Sequence, residues 1–186
     1  MVDRFLFKDR DGRTPLPEEL DELEEENITD GLVWLDDCTG NHRDWMFWET
    51  LHKKLFHKVW KWAGKFRVHE LQNDEFNHPG YISENVKKLE GNLNYWLDNN
   101  SFNDPRVTIA RFHEQLLTIH PFTNGNGRTS RILADYICIR EKISPPFWGR
   151  SLRGNAKKHR ETYIAAVRNA RMHGDYRDLL NFMWDE

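Results

Sequence analysis

The sequence predicts a mainly α-helical domain that carries one small β-hairpin. Apolar residues recur at steps of three and four along most of the chain, which is the period of a helix buried on one face. Cap residues, prolines and glycines divide this pattern into segments of helical length. Residues 66–82 lack the helical period and carry turn residues instead. The 186 residues, of which 38% are hydrophobic and 13% aromatic, suffice for a buried core and argue against disorder.

The first predicted helix follows Pro15 and Pro17 and has acidic residues in its first turn, where the helix dipole favours them. Residues 1–30 hold 11 acidic and 4 basic side chains, a net charge of −7, whereas the whole chain has −3. We therefore predict an acidic N-terminal extension over residues 1–40 and the main domain over 41–186. A solvated helix face and a regulatory element both explain this acidic run.

A change in the spacing of the apolar residues predicts the second helix and the hairpin. One apolar stripe runs from Trp45 to Trp62, which predicts a helix that ends near Gly64. The chain from Phe66 to Ile82 has turn residues and no helical spacing, so we predict a short hairpin or flap there. Ser83 is the predicted cap of the third helix.

Four more helices complete the domain. Asp104 followed by Pro105 is a cap with proline at the first helical position, and it opens a helix that reaches His120. A new helix is expected to begin at 124–126, and two consecutive prolines after residue 144 prevent its continuation. The last two predicted helices cover about 156–172 and 176–184.

Composition and spacing argue against several classes of protein. The net charge of −3 points to neither a nucleic-acid nor a membrane-surface partner. The chain has no signal peptide and no apolar run of about eighteen residues, so we expect a cytoplasmic protein. Cys38 and Cys138 lack zinc spacing, and His113 and His120 have no third ligand close in sequence. The basic cluster over 150–160 fits a solvated face or a docking patch as well as DNA binding.

The run from His120 to Arg131 concentrates groups that carry chemistry. Gly125 and Gly127 allow the backbone to approach a ligand at the start of a helix, where unpaired N–H groups and the helix dipole favour an anion. Arg128 and Arg131 lie three residues apart, so both can offer guanidinium groups to phosphate oxygens. An imidazole at His120 can take a proton from a hydroxyl that attacks a bound phosphorus.

Each of these residues has an ordinary structural explanation when taken alone. A single histidine, a Gly-Asn-Gly turn or an arginine pair is common in proteins without such a function. Their occurrence together within twelve residues is much harder to explain in that way. The spacing His-x-Phe-x-x-Gly-Asn-Gly-Arg-x-x-Arg resembles the signature of Fic proteins, the Fic/Fido family that also includes the death-on-curing toxins.

The resemblance extends over about residues 45–184. The segment Trp-Ala-Gly-Lys-Phe-Arg at 62–67 looks like the chain that leads into the family's target-docking flap, and residues 163–180 look like the end of the domain. The sequence of the acidic helix is similar to that of a branch of the family called mobile mystery protein B. The resemblance implies a Fic-type helical bundle with a small β-hairpin flap.

The resemblance also implies a function. Fic enzymes transfer AMP from ATP to a Ser, Thr or Tyr hydroxyl of a target protein, and His120 would be the general base. The backbone at Gly125, Asn126 and Gly127 would hold the phosphates. Arg128 would steady the departing pyrophosphate, and Arg131 would reach the γ-phosphate. A flap at about 67–81 would align the target by main-chain pairing.

Two features depart from the family pattern. Asn124 stands where the family has Asp or Glu as ligand of Mg²⁺ or Mn²⁺, which predicts weaker metal binding. The family's inhibitory helix has no full match here. Its closest counterpart ends in Glu26, which predicts a pairing of Glu26 with Arg131, and a separate antitoxin is the other option. A death-on-curing type phosphotransferase and an inactive nucleotide-binding or interaction module are the alternative functions.

Overall fold

A computed structural model describes residues 16–71 and 75–184 of the chain. Within these residues the fold is helical, and helices rather than strands build its core. The bounds are α1 Pro17–Asp36, α2 Trp45–Phe56, α3 Ile82–Asp98, α4 Pro105–Ile119, α5 Asn126–Arg140, α6 Ala156–His173 and α7 Arg177–Trp184. Short 3₁₀ turns cover Pro79–Tyr81 and Arg150–Leu152.

Helix α4 lies at the centre of the core. Its Ile109 and Phe112 are fully buried, and α3, α5, α6 and α7 pack around it. Trp48 of α2 meets Phe112 edge-on, with the ring centroids 4.9 Å apart. Full burial of one such side chain stabilises the fold by about 1.5–3 kcal/mol, so this apolar centre holds the ends of α4 and α5 in place.

The acidic helix α1 packs against α2. Gly31 of α1 lies so close to α2 that an added Cβ would be 2.9 Å from Leu55 Cδ2. The acidic side chains Glu18, Glu22, Glu25 and Glu26 remain exposed. Pro15 of the predicted helix start lies outside the described residues.

Most predicted helices are present, and their local signals explain them. Asp104 accepts the N–H of Arg106 at 2.9 Å, and Pro105 is the first residue of α4. Gly174 ends α6 in the left-handed conformation with φ 68°. Ser83 is not the cap predicted for α3, because the chain enters this helix through the 3₁₀ turn and Ser83 lies inside the helix.

Helix α2 is shorter than predicted and ends at Phe56 rather than near Gly64. The cause is Asn27 of α1, a fully buried side chain. Its amide donates to the Lys54 carbonyl at 3.0 Å and accepts the Lys58 N–H at 2.8 Å, so it stands between the two groups that a continuing helix would join. Residues 57–64 therefore form turns.

The predicted β-hairpin flap is wrong for the described residues of this segment. Phe66 forms an isolated antiparallel bridge with Phe122, and the backbone N–H of Asn77 pairs with Thr118 of α4 at 3.1 Å. The buried guanidinium of Arg67 joins the two arms instead, because it donates to the carbonyls of His69 and Asn77. Among the described residues, the main chain of the first arm bonds to the connection between α4 and α5, that of the second arm bonds to α4 or to Arg67, and neither bonds to the other arm.

None of the described helices combines the length and the apolar character needed to cross a membrane.

Candidate active site

The candidate site lies in the connection between α4 and α5. Helix α4 ends at His120, which takes a left-handed conformation with φ 49° and ψ 59°. Helix α5 begins after Gly125, with φ 77°, where a Cβ would come within 2.6 Å of the Phe56 ring. Because L-residues other than glycine avoid this conformation and the space is filled, the fold itself requires Gly125.

His120 is held in a form that can accept a proton. Its Nδ1 lies 3.3 Å from the Leu117 carbonyl, and since a carbonyl only accepts, Nδ1 carries the hydrogen and Nε2 is the acceptor. Phe76 lies against the ring at a centroid distance of 4.0 Å. Burial, reinforced by the charges of Arg67 and Arg171 and opposed by the Leu117 hydrogen bond, lowers the pKa of His120 to about 4. The imidazole is therefore neutral near pH 7.

Arg67 connects His120 to the flap segment. Its Nε donates to the His120 carbonyl at 2.7 Å, and its backbone N–H donates to the Pro121 carbonyl at 2.8 Å. Together with the bonds to the flap carbonyls, these contacts pair a buried cation with main-chain oxygens. The unusual backbone of His120 is thereby tied to the position of the flap.

His52 of α2 packs against the loop and forms a hydrogen bond with it. The sequence did not identify this residue as part of the site. Gly64 N–H donates to Nδ1 at 2.9 Å, so Nε2 carries the hydrogen and donates to the Asn124 carbonyl at 3.0 Å. The ring stacks on Phe122 at a centroid distance of 3.7 Å. Burial lowers the pKa of His52 to about 4. The available signal was a histidine on the apolar stripe of α2, one residue after Leu51.

Asn126 closes the loop with its side chain. The amide accepts the Phe122 N–H at 2.9 Å and donates to the Phe122 carbonyl at 2.8 Å. The first turn of α5 then leaves the N–H groups of Asn126, Gly127 and Arg128 without an acceptor among the described residues. A Cβ at Gly127 would meet nothing within 4 Å. N–H groups without an acceptor at a helix N-terminus are suited to bind an anion.

Arg128 is already paired in this conformation. Its Nη1 lies 2.5 Å from Oε2 of the buried Glu24, and its guanidinium lies 4.8 Å from the centre of the Phe56 ring. The indole N–H of Trp60 also donates to Glu24. The predicted pairing of Glu26 with Arg131 is wrong here, because Glu26 lies on the exposed face of α1 and Glu24 occupies the inner face.

Arg131 and Arg128 have different neighbours. The Arg131 guanidinium lies 5.6 Å from the centre of the Tyr163 ring, and no described carboxylate is within 4.0 Å of it. It lines a cavity of about 410 Å³ together with Asp135, Trp148 and His159. Trp148 donates to Asp135 at 2.7 Å, and burial raises the pKa of Asp135 to about 6.

Asn124 fits a metal site poorly. Its Oδ1 accepts the Gly125 N–H at 2.8 Å, and its own carbonyl is bound by His52. The described residues contain no group of three histidine, cysteine or carboxylate side chains that could hold a metal ion. Magnesium binds through one or two carboxylates and substrate phosphates, and the loop offers only a neutral amide oxygen.

The comparisons with known proteins agree with this geometry. Residues 47–138 match the sequence model of the Fic/DOC family, and they include most of α2, the flap segment, α3, α4 and most of α5. A relative from Caenorhabditis elegans, protein adenylyltransferase fic-1, is 35% identical over 87 residues, which are 45% of this chain and 16% of that protein. The chain thus spans only a small part of that relative's length.

Two solved structures share the fold. The BepC effector protein from Bartonella tribocorum, with bound AMPPNP, superposes with a TM-score of 0.68 at 19% identity, covering 98% of this chain and 92% of BepC. The N-terminal Fic domain of a cell filamentation protein from Bartonella quintana, with bound ADP, gives a TM-score of 0.69 at 21% identity, covering 91% and 85%. The helical fold and the loop define a Fic domain, and the chain belongs to the Fic/DOC family.

Proposed function

We propose that this protein transfers AMP from ATP to a hydroxyl side chain of a target protein. The observation that carries the proposal is the neutral His120, with Nε2 as acceptor, in the same loop as three free N–H donors at the start of α5. Related proteins named protein adenylyltransferases, and family members with bound AMPPNP and ADP, support it.

ATP would bind along the start of α5. The N–H groups of Asn126, Gly127 and Arg128 would hold phosphate oxygens, since a helix N-terminus favours negative charge. Arg131 has no carboxylate within 4.0 Å among the described residues, and it would reach the end of the triphosphate.

The chain's residues would perform an in-line displacement. His120 Nε2 takes the proton of the target hydroxyl, and the oxygen attacks the α-phosphorus. The bond from the α-phosphorus to the bridging oxygen breaks, and pyrophosphate leaves with that oxygen and its electron pair. Arg128 and the N–H groups neutralise the developing charge, so positioning and electrostatics supply the catalysis.

Magnesium would accompany the nucleotide rather than occupy a site built by the protein. Asn124 contributes at most one neutral oxygen, and that oxygen already accepts the Gly125 N–H. No step of the proposed mechanism by His120 depends on a protein-bound metal.

The flap segment would align the target. Val68 is 90% exposed, and it follows directly on the bridge residue Phe66 and the anchored Arg67. An exposed segment that is anchored at one end can pair with the main chain of another protein. We therefore keep residues 67–81 as the docking segment, although its described part is not a hairpin.

Helix α1 would act as an intramolecular inhibitor through Glu24. Glu24 binds the guanidinium that the departing pyrophosphate needs, so ATP must displace it from Arg128 before transfer. A charge-assisted hydrogen bond of this kind contributes about 1.5–3 kcal/mol, which corresponds to a tenfold or greater reduction in ATP affinity. A separate antitoxin is not required for this inhibition.

Labelled ATP tests the proposed reaction. We expect label from the α-phosphate on a protein substrate, which His120→Ala abolishes and His57→Ala, a change at an exposed position, retains. Label from the γ-phosphate alone would assign a phosphotransferase of the death-on-curing type. No label on any protein, with ATP still bound, would assign an inactive nucleotide-binding module.

Calorimetric ATP titration tests the inhibitory role of Glu24. Glu24→Gln removes the charge and keeps the side-chain length, and we expect ATP affinity and AMP transfer to rise about tenfold. Glu25→Gln is the matched control, because Glu25 is exposed on the same helix and its replacement should change neither quantity. Equal ATP affinities for the two variants would contradict the proposal.

A further inference from the structure

A polar groove lies between α3 and α4 beside the flap segment. Its volume is about 300 Å³, and Leu89 and Ile119 form its apolar floor. Four carboxamide side chains line its walls, and they come from three different parts of the chain. These lining side chains are Asn77, Asn85, Asn92 and Gln115.

The carboxamides of this groove have unused hydrogen-bonding groups. Asn85, Asn92 and Gln115 are half-buried, and no described residue forms a hydrogen bond with their side chains. Asn27 and Asn126, in contrast, each use both the donor and the acceptor of the amide on the main chain. Half-buried amides that offer both functions suit a ligand that alternates donors and acceptors, as an extended polypeptide does.

The charge of the groove comes from Lys88. Glu114 and Arg171 also line it, but Glu114 pairs with Arg171 at 3.4 Å, and Arg171 also pairs with Glu75 at 3.1 Å. Lys88 is exposed, and no described carboxylate lies within 4.0 Å of its Nζ. Among the described lining residues, Lys88 is therefore the one cation without a carboxylate partner, which favours an acidic side chain of a ligand.

The groove lies next to the candidate base along the chain. Ile119 of the floor directly precedes His120, and Asn77 of the wall directly follows Phe76, whose ring lies 4.0 Å from that of His120. The Asn77 N–H bonds to the Thr118 carbonyl at 3.1 Å, which fixes the junction between flap and groove. A target chain with its hydroxyl at His120 would therefore lie close to the flap and to the groove.

We propose that this groove binds an extended segment of the target protein next to the modified hydroxyl residue. The carboxamides pair with the main chain of that segment, and Lys88 pairs with an acidic side chain within it. The groove then selects targets that carry an acidic residue near the modified position. This inference rests on the proposed AMP transfer and adds the recognition of sequence around the hydroxyl.

A charge reversal with a matched neighbour tests the groove. Lys88→Glu places a carboxylate at the groove, whereas Lys87→Glu makes the same change at the adjacent exposed position, which does not line it. Both variants are assayed in a cell lysate with α-labelled ATP, and ATP affinity is measured on the purified proteins. We expect Lys88→Glu to lower target labelling about tenfold at unchanged ATP affinity, and Lys87→Glu to label like the parent protein.

A photo-crosslinker locates the bound segment directly. Benzoyl-phenylalanine replaces Asn92 in the groove or, as control, Tyr95, which is 63% exposed on the same helix outside the groove. We expect the protein that receives the α-label to crosslink from position 92 and not from position 95.

The outcomes separate this inference from the proposed function. Equal labelling by the two lysine variants, or a loss that accompanies weaker ATP binding, overturns the groove as a target site and leaves AMP transfer intact. Labelled target that does not crosslink from position 92 also overturns it. Absence of α-label with the parent protein overturns the proposed function and the groove assignment together.

Discussion

Acidification from pH 7 to pH 5 should destabilise this protein through two buried histidines, His52 and His113. Burial lowers the pKa of His52 to about 4 and that of His113 to about 3, below the value of 6.5 for an exposed histidine. The unfolded chain therefore binds protons more readily than the folded protein. Their contribution to stability is complete above pH 6.5 and is lost as the pH falls toward the folded-state pKa values.

The magnitude follows from the two pKa values. One pKa unit corresponds to about 1.4 kcal/mol, so each of the two histidines lowers the free energy of unfolding by about 2 kcal/mol between pH 7 and pH 5. His120, with a pKa of about 4, acts in the same direction. Asp135 acts in the opposite direction by about 1 kcal/mol, since its pKa of about 6 lets the folded protein bind a proton first.

Urea unfolding at pH 7, 6 and 5 measures this loss. His52→Gln supplies a neutral amide without a titratable group, and we expect it to reduce the pH-dependent loss by about 2 kcal/mol. His57→Gln, at an exposed position just after α2, is the control and should retain the full loss. If His52→Gln loses as much stability between pH 7 and pH 5 as the parent protein, the assignment of His52 as a buried neutral group is refuted.

Three further predictions concern the loop. Gly125→Ala should lower the free energy of unfolding by about 3 kcal/mol, because the left-handed backbone is strained for alanine and the new Cβ overlaps the Phe56 ring. Gly127→Ala should keep the melting temperature of the parent protein and weaken ATP binding at least tenfold. Equal melting temperatures of the two variants would contradict this. Arg67→Met should slow transfer and shift the acid limb of the pH–rate profile to higher pH, because loss of the Arg67 charge raises the pKa of His120. In the parent protein we expect this limb near pH 4, the pKa of His120. Arg67→Lys should keep that limb, and a limb unmoved in Arg67→Met would contradict the role of the Arg67 charge. Asn124→Asp should increase transfer at limiting magnesium, and an unchanged rate would show that the amide is no handicap.

The helix boundaries that depend on neighbouring residues were predictable from the sequence. Asp104 with Pro105 opens α4 and Gly174 ends α6, because capping uses groups within one turn. The end of α2 was not predictable in this way. Asn27, far away in sequence, occupies the hydrogen-bonding groups of Lys54 and Lys58.

The hairpin prediction failed for a related reason. Turn residues and the loss of helical period predicted a segment outside the α-helices, and the described residues of 66–78 confirm this, but a hairpin also needs two arms whose main chains are free to pair. The Arg67 guanidinium donates to carbonyls of both arms, and the Thr118 carbonyl of α4 accepts the Asn77 N–H. A single arginine among many gives no sign in the sequence that it will be buried among carbonyl oxygens.

The glutamate that pairs with Arg128 shows how a helix face decides between neighbouring residues. The acidic run offers several candidates, and only the docking of α1 on α2 decides which of them faces Arg128. Glu24, Asn27, Gly31 and Leu35 are all buried and lie at steps of three and four, so they share one face. That spacing was present in the sequence and would have favoured Glu24 over Glu26.

The sequence by itself determined the helical class, the local caps and the loop from His120 to Arg131, because these depend on residues a few positions apart. Only the tertiary structure decided the partners of that loop. His52 below Asn124, Arg67 beside His120 and Glu24 on Arg128 are brought together from distant parts of the chain. Burial, which no local pattern records, keeps His120 neutral near pH 7. Arg128 is paired with Glu24, whereas Arg131 has no carboxylate within 4.0 Å among the described residues.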